Sequence, residues 1–220
     1  MKFSEYTIKS TDALCEEFNT DIEKGLSFQK ANIRRNRYGP NTLRADEPTW
    51  FDVLLRQFKS AFIYMLIAAS VISFLLNNKF DSLMIILFVV INTGLGFYQE
   101  FKSQKALSYL KNLVDRQVRV IRSGQPHYIS STDLVPGDVV LLEVGDIVPA
   151  DIRLVMEDNF YVDESSLTGE SVPVKKTSEP LKEKETQIYK ASNTVFMGTT
   201  VSEGNSKGIV IFTGKNTEIG

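Results

Sequence analysis

One cysteine, Cys15, and one histidine, His127, stand in 220 residues. A lone cysteine excludes an internal disulfide framework. It fits a reducing compartment and a structural thiol. A lone histidine excludes a zinc site built from His and Cys ligands, and equally a Ser-His-Asp hydrolase. The formal net charge of −2 gives no basis for nucleic acid as a partner. The opening "MKFSEYTIKS" has no apolar core, so no secretory signal peptide is expected. Nucleotide-binding glycine patterns are missing too. In "TGKNTEIG", Ile209 stands where a phosphate loop needs its first glycine, and Asn216 where it needs Ser or Thr.

Charge is also missing from two stretches, and there the absence is informative. Ala61–Leu76 and Ser82–Tyr98 are apolar on every face. As helices they would be roughly 24–26 Å long, near the lower limit for crossing a hydrocarbon core of about 30 Å. Lys59 and Lys79 can extend the first run by snorkelling, and Phe80 and Tyr98 suit the interfaces. Buried core helices are the competing reading, but a soluble surface helix would show a polar stripe. The linker "NNKFD" predicts a tight antiparallel hairpin. Arg56 and Lys59 precede it, and Lys102, Lys105, Lys111 and Arg116 follow it. By the positive-inside rule both long ends are cytoplasmic and the turn lies outside. No ionisable residue lies within either run, so no ion path is expected there. Asn92 and Thr93 are expected to pack between helices.

Before the hairpin, residues 1–50 read as short helices with solvated surfaces. Ser10 or Thr11 caps one, and Ser27 caps "FQKANIRRNRY", which ends at Gly39-Pro40. Asn41–Pro48 reads as a polar connector. After it, "QEFKSQKALSYLKNLV" continues the second membrane segment as a helical stalk. From Gln117 short β-rich runs follow: "QVRVIR", "DVVLLEV", "ADIRLVM", "NFYVDE", "NTVFMGTTV" and "GIVIFTG". Turn residues separate them, Glu203-Gly204-Asn205 included. This spacing predicts a sandwich or a jelly roll. The charged "VKKTSEPLKEKETQ" is expected to be an exposed loop.

Three acid-bearing loops fall in this β-rich part. Asp138, Asp146, Asp151, Asp163 and Glu164 could be imagined as metal ligands, but the turn-residue reading is the stronger one. In "SSLTGESVPVKK", Glu170 stands alone. Thr168 and Gly169 clear the space around it, and Ser171 adds a hydroxyl. Such a loop can press against another surface and deliver a carboxylate able to orient a water. It still needs an electrophile, and none is offered here; local chemistry alone reads Glu170 as a solvated loop acid.

In order along the chain, "GLSFQKANIRRNRYGPNTL", "QFKSAFIYMLIAASVISFLL", "INTGLGFYQEFKSQKALSYLKNL", "LVPGDVVLLEVGDIVPADIRLV", "DESSLTGESVPVKK" and "VFMGTTVSEGNSKGIVIFTGKNTEIG" resemble the P-type cation-transporting ATPases. The type II group, which moves calcium, sodium or potassium, is the best match. The resemblance implies a multidomain α plus β chain. Its parts would be an N-terminal cytoplasmic helical segment (1–50), a two-helix transmembrane hairpin with stalk (51–116) and an all-β distorted jelly-roll actuator domain (117–220). It gives Glu170 the task of positioning the water that hydrolyses an aspartyl phosphate, with Thr168 and Gly169 shaping the approach and Ser171 supporting the loop. ATP and Mg2+ would serve the complete enzyme, and this chain alone would bind neither. The phosphorylated Asp-Lys-Thr-Gly motif, the nucleotide-binding domain and the later membrane helices do not occur in these residues. The chain is therefore expected to be the N-terminal piece of a pump. Its partners would be the lipid bilayer, the missing domains and the transported cation. The alternative is a non-enzymatic, membrane-anchored remnant or regulatory module that associates with an intact pump.

Overall fold

Helices begin where the expected caps stand. The computed structural model describes residues 3–43, 50–112, 116–170 and 172–220. After α1 (Ser4–Thr7), Ser10 accepts from the Ala13 N–H and opens α2 (Thr11–Glu17). Ser27 accepts from the Lys30 N–H and opens α3 (Phe28–Tyr38), which Gly39 ends. Three helices follow: α4 (Trp50–Gln57), α5 (Ala61–Leu75) and α6 (Lys79–Asn112). Then come β1 (Gln117–Arg122), β2 (Gln125–Ser130), β3 (Val139–Leu142), β4 (Asp151–Asp163), the one-turn α7 (Ser165–Thr168), β5 (Val174–Lys175), β6 (Thr194–Val195) and β7 (Thr200–Phe212). The described residues fall into two compact units, one of residues 1–43 with 115–220 and one of residues 44–114.

The first unit is built on an antiparallel seven-stranded sheet ordered β2-β1-β3-β7-β4-β5, with β6 also paired to β4. Two of its strands, β4 and β7, are longer than expected. "ADIRLVM" and "NFYVDE" are one strand, β4. The end of "NTVFMGTTV" runs without a break into "GIVIFTG" as β7. The expected turn at Glu203-Gly204-Asn205 lies inside β7. Gly204 has φ +76° and faces Asn159 at φ +46° across a register shift between Asp158 and Tyr161. A Cβ on Gly204 would sit 2.2 Å from the Asp158 carbonyl oxygen, so only glycine fits this bulge. β2 and β5 were not foreseen; Pro126 at β2 is tolerated because β2 is an edge strand.

Both sheet faces are covered, which explains the continuous apolar runs in β3 and β7. Val120, Val140, Leu142, Ile152, Leu154, Phe160 and Val210 fill one side. On the other, Ile121, Val139 and Ile209 meet Leu14, Tyr6 and Phe18 from the N-terminal helices. Phe3 meets Phe196 edge-on, ring centroids 4.9 Å apart. Burying Phe3, Leu14 or Leu26 contributes about 1.5–3 kcal/mol each. The N-terminal segment is thus not simply a solvated surface. Arg153, fully buried, secures it by donating to the carbonyls of Tyr6 (3.1 Å), Lys9 (3.3 Å), Ser178 (3.0 Å) and Leu154. Burial lowers its pKa to about 10, so it stays cationic at neutral pH. Asn193 adds bonds to the carbonyls of Thr7 (2.7 Å) and Glu179 (2.8 Å).

The sequence places Asn41 in a polar connector. The residue is buried, and its amide donates to the Ser131 and Pro149 carbonyls while its oxygen accepts from the Gly214 N–H. Residues 44–48 of that connector lie outside the described residues, as does the end of the stalk at 113–115.

In the second unit the apolar runs are helices, and α6 starts at Lys79. With α5 ending at Leu75, the link is residues 76–78 in place of the expected "NNKFD", with Asn77 at φ +65°. Ser70 and Ser82 are buried, their hydroxyl oxygens 3.0 Å apart. One stretch, Lys79–Lys105, is by itself long and apolar enough to cross a membrane. α4 and α5 reach that length only as a pair bent by 62°. Thr93 is buried, whereas neighbouring Asn92 is exposed, because adjacent helical residues face different sides. Gln57 donates to the Glu100 carboxylate at 2.8 Å and so ties α4 to α6.

Candidate functional site

The loop around Glu170 is built from the end of β4. Asp163 accepts the Ser165 N–H at 2.8 Å and turns the chain out of the strand. That bond holds the Asp163 carboxyl below its usual range. The Glu164 carbonyl then receives the N–H groups of Leu167 and Thr168, which makes the single turn α7. Gly169 ends it at φ +79°, ψ −2°, with its N–H on the Ser165 carbonyl. This left-handed stop favours glycine, and space around the glycine is open.

Thr168 does two things. Its hydroxyl donates to the Glu164 carbonyl at 3.1 Å and accepts the Glu170 N–H at 3.2 Å. The Glu170 backbone is thereby tied to the turn, while its side chain is exposed and makes no ion pair or hydrogen bond among the described residues. Ser171 lies outside the described residues. The chain returns as β5, where Lys175 and Val174 pair with Tyr161 and Val162. Both ends of the loop therefore rest on β4. Ser166 adds a bond to the Gly198 carbonyl at 3.2 Å.

Chemically, the loop presents a free carboxylate on a short, tethered turn. A carboxylate so placed can accept a proton from a water or orient it. No electrophile or cation stands with it among the described residues.

The other candidate acids are engaged in holding the fold. Asp138 is buried and bidentate with Arg122, at 2.9 and 2.6 Å. Asp146 accepts the Glu143 N–H. Asp151 is buried and accepts from the N–H groups of Met197 (3.0 Å) and Glu218 (2.8 Å); burial, outweighing those two bonds, raises its pKa to about 6. Glu164 is buried against Lys176, Oε1 to Nζ 2.5 Å. Among the described residues no three of His, Cys, Asp and Glu gather as metal ligands would.

Lys176 is the main correction. It was placed in an exposed charged loop, yet its side chain is fully buried. Its Nζ also donates to the Ala191 carbonyl at 3.1 Å. Nothing in "VKKTSEPLKEKETQ" distinguishes it from the lysines around it. The alternation Val174-Lys175-Lys176 leaving β5 was the one available hint, since residues one apart on an extended chain face opposite sides.

Comparison with known proteins places these features. Residues 112–220 match the family model of the P-type ATPase actuator domain, and residues 6–73 match that of the cation transporter/ATPase N-terminus. The chain is 42% identical over 219 residues to "Calcium-transporting ATPase 1" of Schizosaccharomyces pombe, covering 98% of this chain and 24% of that protein. It is 38% identical over 221 residues to "Calcium-transporting ATPase" of Bacillus subtilis, covering 100% and 24%. It is 37% identical over 222 residues to "Sodium/potassium exporting P-type ATPase 2" of Saccharomyces cerevisiae, covering 100% and 20%. The chain thus spans about a quarter or less of the length of these curated relatives.

Proposed function

Because the chain belongs to the P-type ATPases, as their N-terminal and actuator domains, we propose that it serves an ATP-driven cation pump whose phosphorylated aspartate lies outside these residues. Glu170 positions the water that attacks the aspartyl phosphate. Thr168 and Gly169 shape the approach, and Ser171 supports the loop. The observation that carries this reading is the loop itself: an exposed carboxylate, tethered through Thr168, with no partner among the described residues. A group that works on another domain's phosphate has that geometry. Calcium is the proposed cargo, from the names of two of the relatives above.

ATP and Mg2+ belong to the complete pump. Mg2+ would shield phosphate charge during transfer. It is assigned, with the phosphorylated aspartate, to the remainder of the pump. The helices α5 and α6 form the two-helix membrane hairpin, and residues 1–50 and 117–220, the latter a distorted jelly roll, lie in the cytoplasm. Support comes from large apolar side chains exposed around these helices, among them Phe62, Met65, Phe74, Leu83 and Phe88, and from basic residues at both long ends.

The test is single-turnover decay of the phosphoenzyme in the pump that contains this chain. Glu170→Gln should slow the decay by about 10²–10⁴-fold and leave phosphorylation by ATP intact. Decay at the unaltered rate would remove the role from Glu170.

A further inference from the structure

We propose that Glu164 and Lys176 are positioning residues for Glu170: their buried ion pair closes the base of the loop and sets where its carboxylate can reach. The inference rests on the role given to Glu170 above.

Stability does not explain the pair. Its side chains are 1% and 0% exposed. Removing two charges from water is costly, and well-packed apolar residues in such places are often as stable or more so. Glu164 adds to the cost, since Oε1 is held by the ion pair alone and Oε2 is buried with no hydrogen-bond partner among the described residues. Burial pushes the Glu164 carboxyl up and the Lys176 ammonium down, each opposed by the attraction of the other.

Geometry does explain it. Lys176 is anchored to the sheet: its N–H bonds the Phe160 carbonyl at 2.9 Å, and its Nζ bonds the Ala191 carbonyl. Glu164 is the first fixed point of the turn. Its carbonyl receives Leu167 N–H, Thr168 N–H and the Thr168 hydroxyl, and that hydroxyl receives the Glu170 N–H. A chain of contacts therefore leads from the sheet through the Lys176–Glu164 ion pair, the Glu164 carbonyl and the Thr168 hydroxyl to Glu170. Leu167 packs in the cluster of Phe3 and Phe196, and Lys176 Nζ lies 6.0 Å from the Phe196 ring. The side chains on the turn and the lysine behind it meet at one point. An ion pair whose lysine is also held by the Ala191 carbonyl specifies one arrangement there, where apolar residues would allow several.

The experiment compares three variants in the pump that contains this chain, reading both thermal melting and phosphoenzyme decay. The double variant Glu164→Leu/Lys176→Met removes both charges and should melt close to the unaltered protein. Its phosphoenzyme should nevertheless decay about 10–100-fold more slowly, the scale of a misplacement of roughly 1 Å. Glu164→Gln keeps an acceptor for Lys176 and should recover most of the rate. Glu170→Gln is the reference. Normal decay in the double variant, with slow decay in Glu170→Gln, overturns the positioning role alone. Normal decay in Glu170→Gln overturns the reading on which it rests. Should the double variant fail to fold, Glu164→Gln/Lys176→Met, which also leaves no buried charge, is read by the same two measurements. Amide exchange of Gly169 and Glu170 in the chain itself gives a further check: protection unchanged in the double variant would also overturn the inference.

Discussion

The sheet unit and the helical unit use the same residue types in opposite ways. Phe160, in β4, has no exposed surface, and Phe88, in α6, is 56% exposed. In the sheet unit, Phe3, Leu14 and Phe196 are likewise hidden, and charged side chains in the interior are held by partners, as Arg122 is by Asp138. In the helical unit, large apolar side chains face outward around α5 and α6, and serines and a threonine are buried. Water drives the first pattern. The second is the arrangement expected where the surrounding solvent is hydrocarbon and helices associate through small or polar side chains.

The same substitution should therefore have different consequences in the two units. Phe160→Ala should cost about 3–5 kcal/mol, the price of a buried aromatic and the cavity it leaves. Phe88→Ala should change unfolding of the sheet unit by less than about 0.5 kcal/mol. Amide exchange in β4 and β7 of the detergent-solubilised chain measures both. Equal effects would break the contrast. Next in size is Phe88→Arg, which places a charge where lipid is proposed. It should oppose membrane insertion by about 2.5–3.5 kcal/mol, seen as a loss of the membrane-integrated fraction. Normal insertion would mean that α6 does not cross the bilayer at that depth.

A third prediction concerns pH and belongs to the sheet unit alone. The Asp151 carboxyl is raised in the folded chain from 3.8 to about 6. The folded state thus holds a proton that the unfolded state has already released. Asp151's contribution to stability is complete below about pH 4 and is lost as the pH rises through 6, by at most about 3 kcal/mol. Asp151→Asn should flatten that slope in urea unfolding. An unchanged slope would assign it to other groups. The physical conflict is plain at the site: burial favours the protonated acid, whereas the Met197 and Glu218 N–H groups want both oxygens as acceptors.

Elements governed by local rules were legible in the sequence. Ser10, Ser27 and Gly39 mark helix ends because caps act within a turn. The two uncharged runs became helices, and Thr168-Gly169-Glu170 became an exposed turn. The misreadings came from bonds between distant residues. Gly204 looks like a turn residue because the left-handed conformation of a bulge needs the same residue type. Lys176 reads as part of an exposed loop and Asn41 as part of a connector because their partners lie 12 and about 100 positions away. Ser171 falls outside the described residues.

The smallest effect tests how far the sheet unit's cooperativity extends. Ser27 accepts the Lys30 N–H at 3.3 Å and caps α3. Ser27→Ala should cost about 1 kcal/mol. α3 has few buried side chains; Ala31 meets Leu26 and Val135, and Arg34 reaches the Pro136 carbonyl at 2.6 Å. A helix held at so few points can open without the sheet. Faster amide exchange should therefore appear at the start of α3, from Lys30 onward, with β4 and β7 unchanged. If β4 and β7 accelerate equally, α3 unfolds only with the sheet. The Arg34 anchor would then be strong enough to make the N-terminal segment part of one cooperative body.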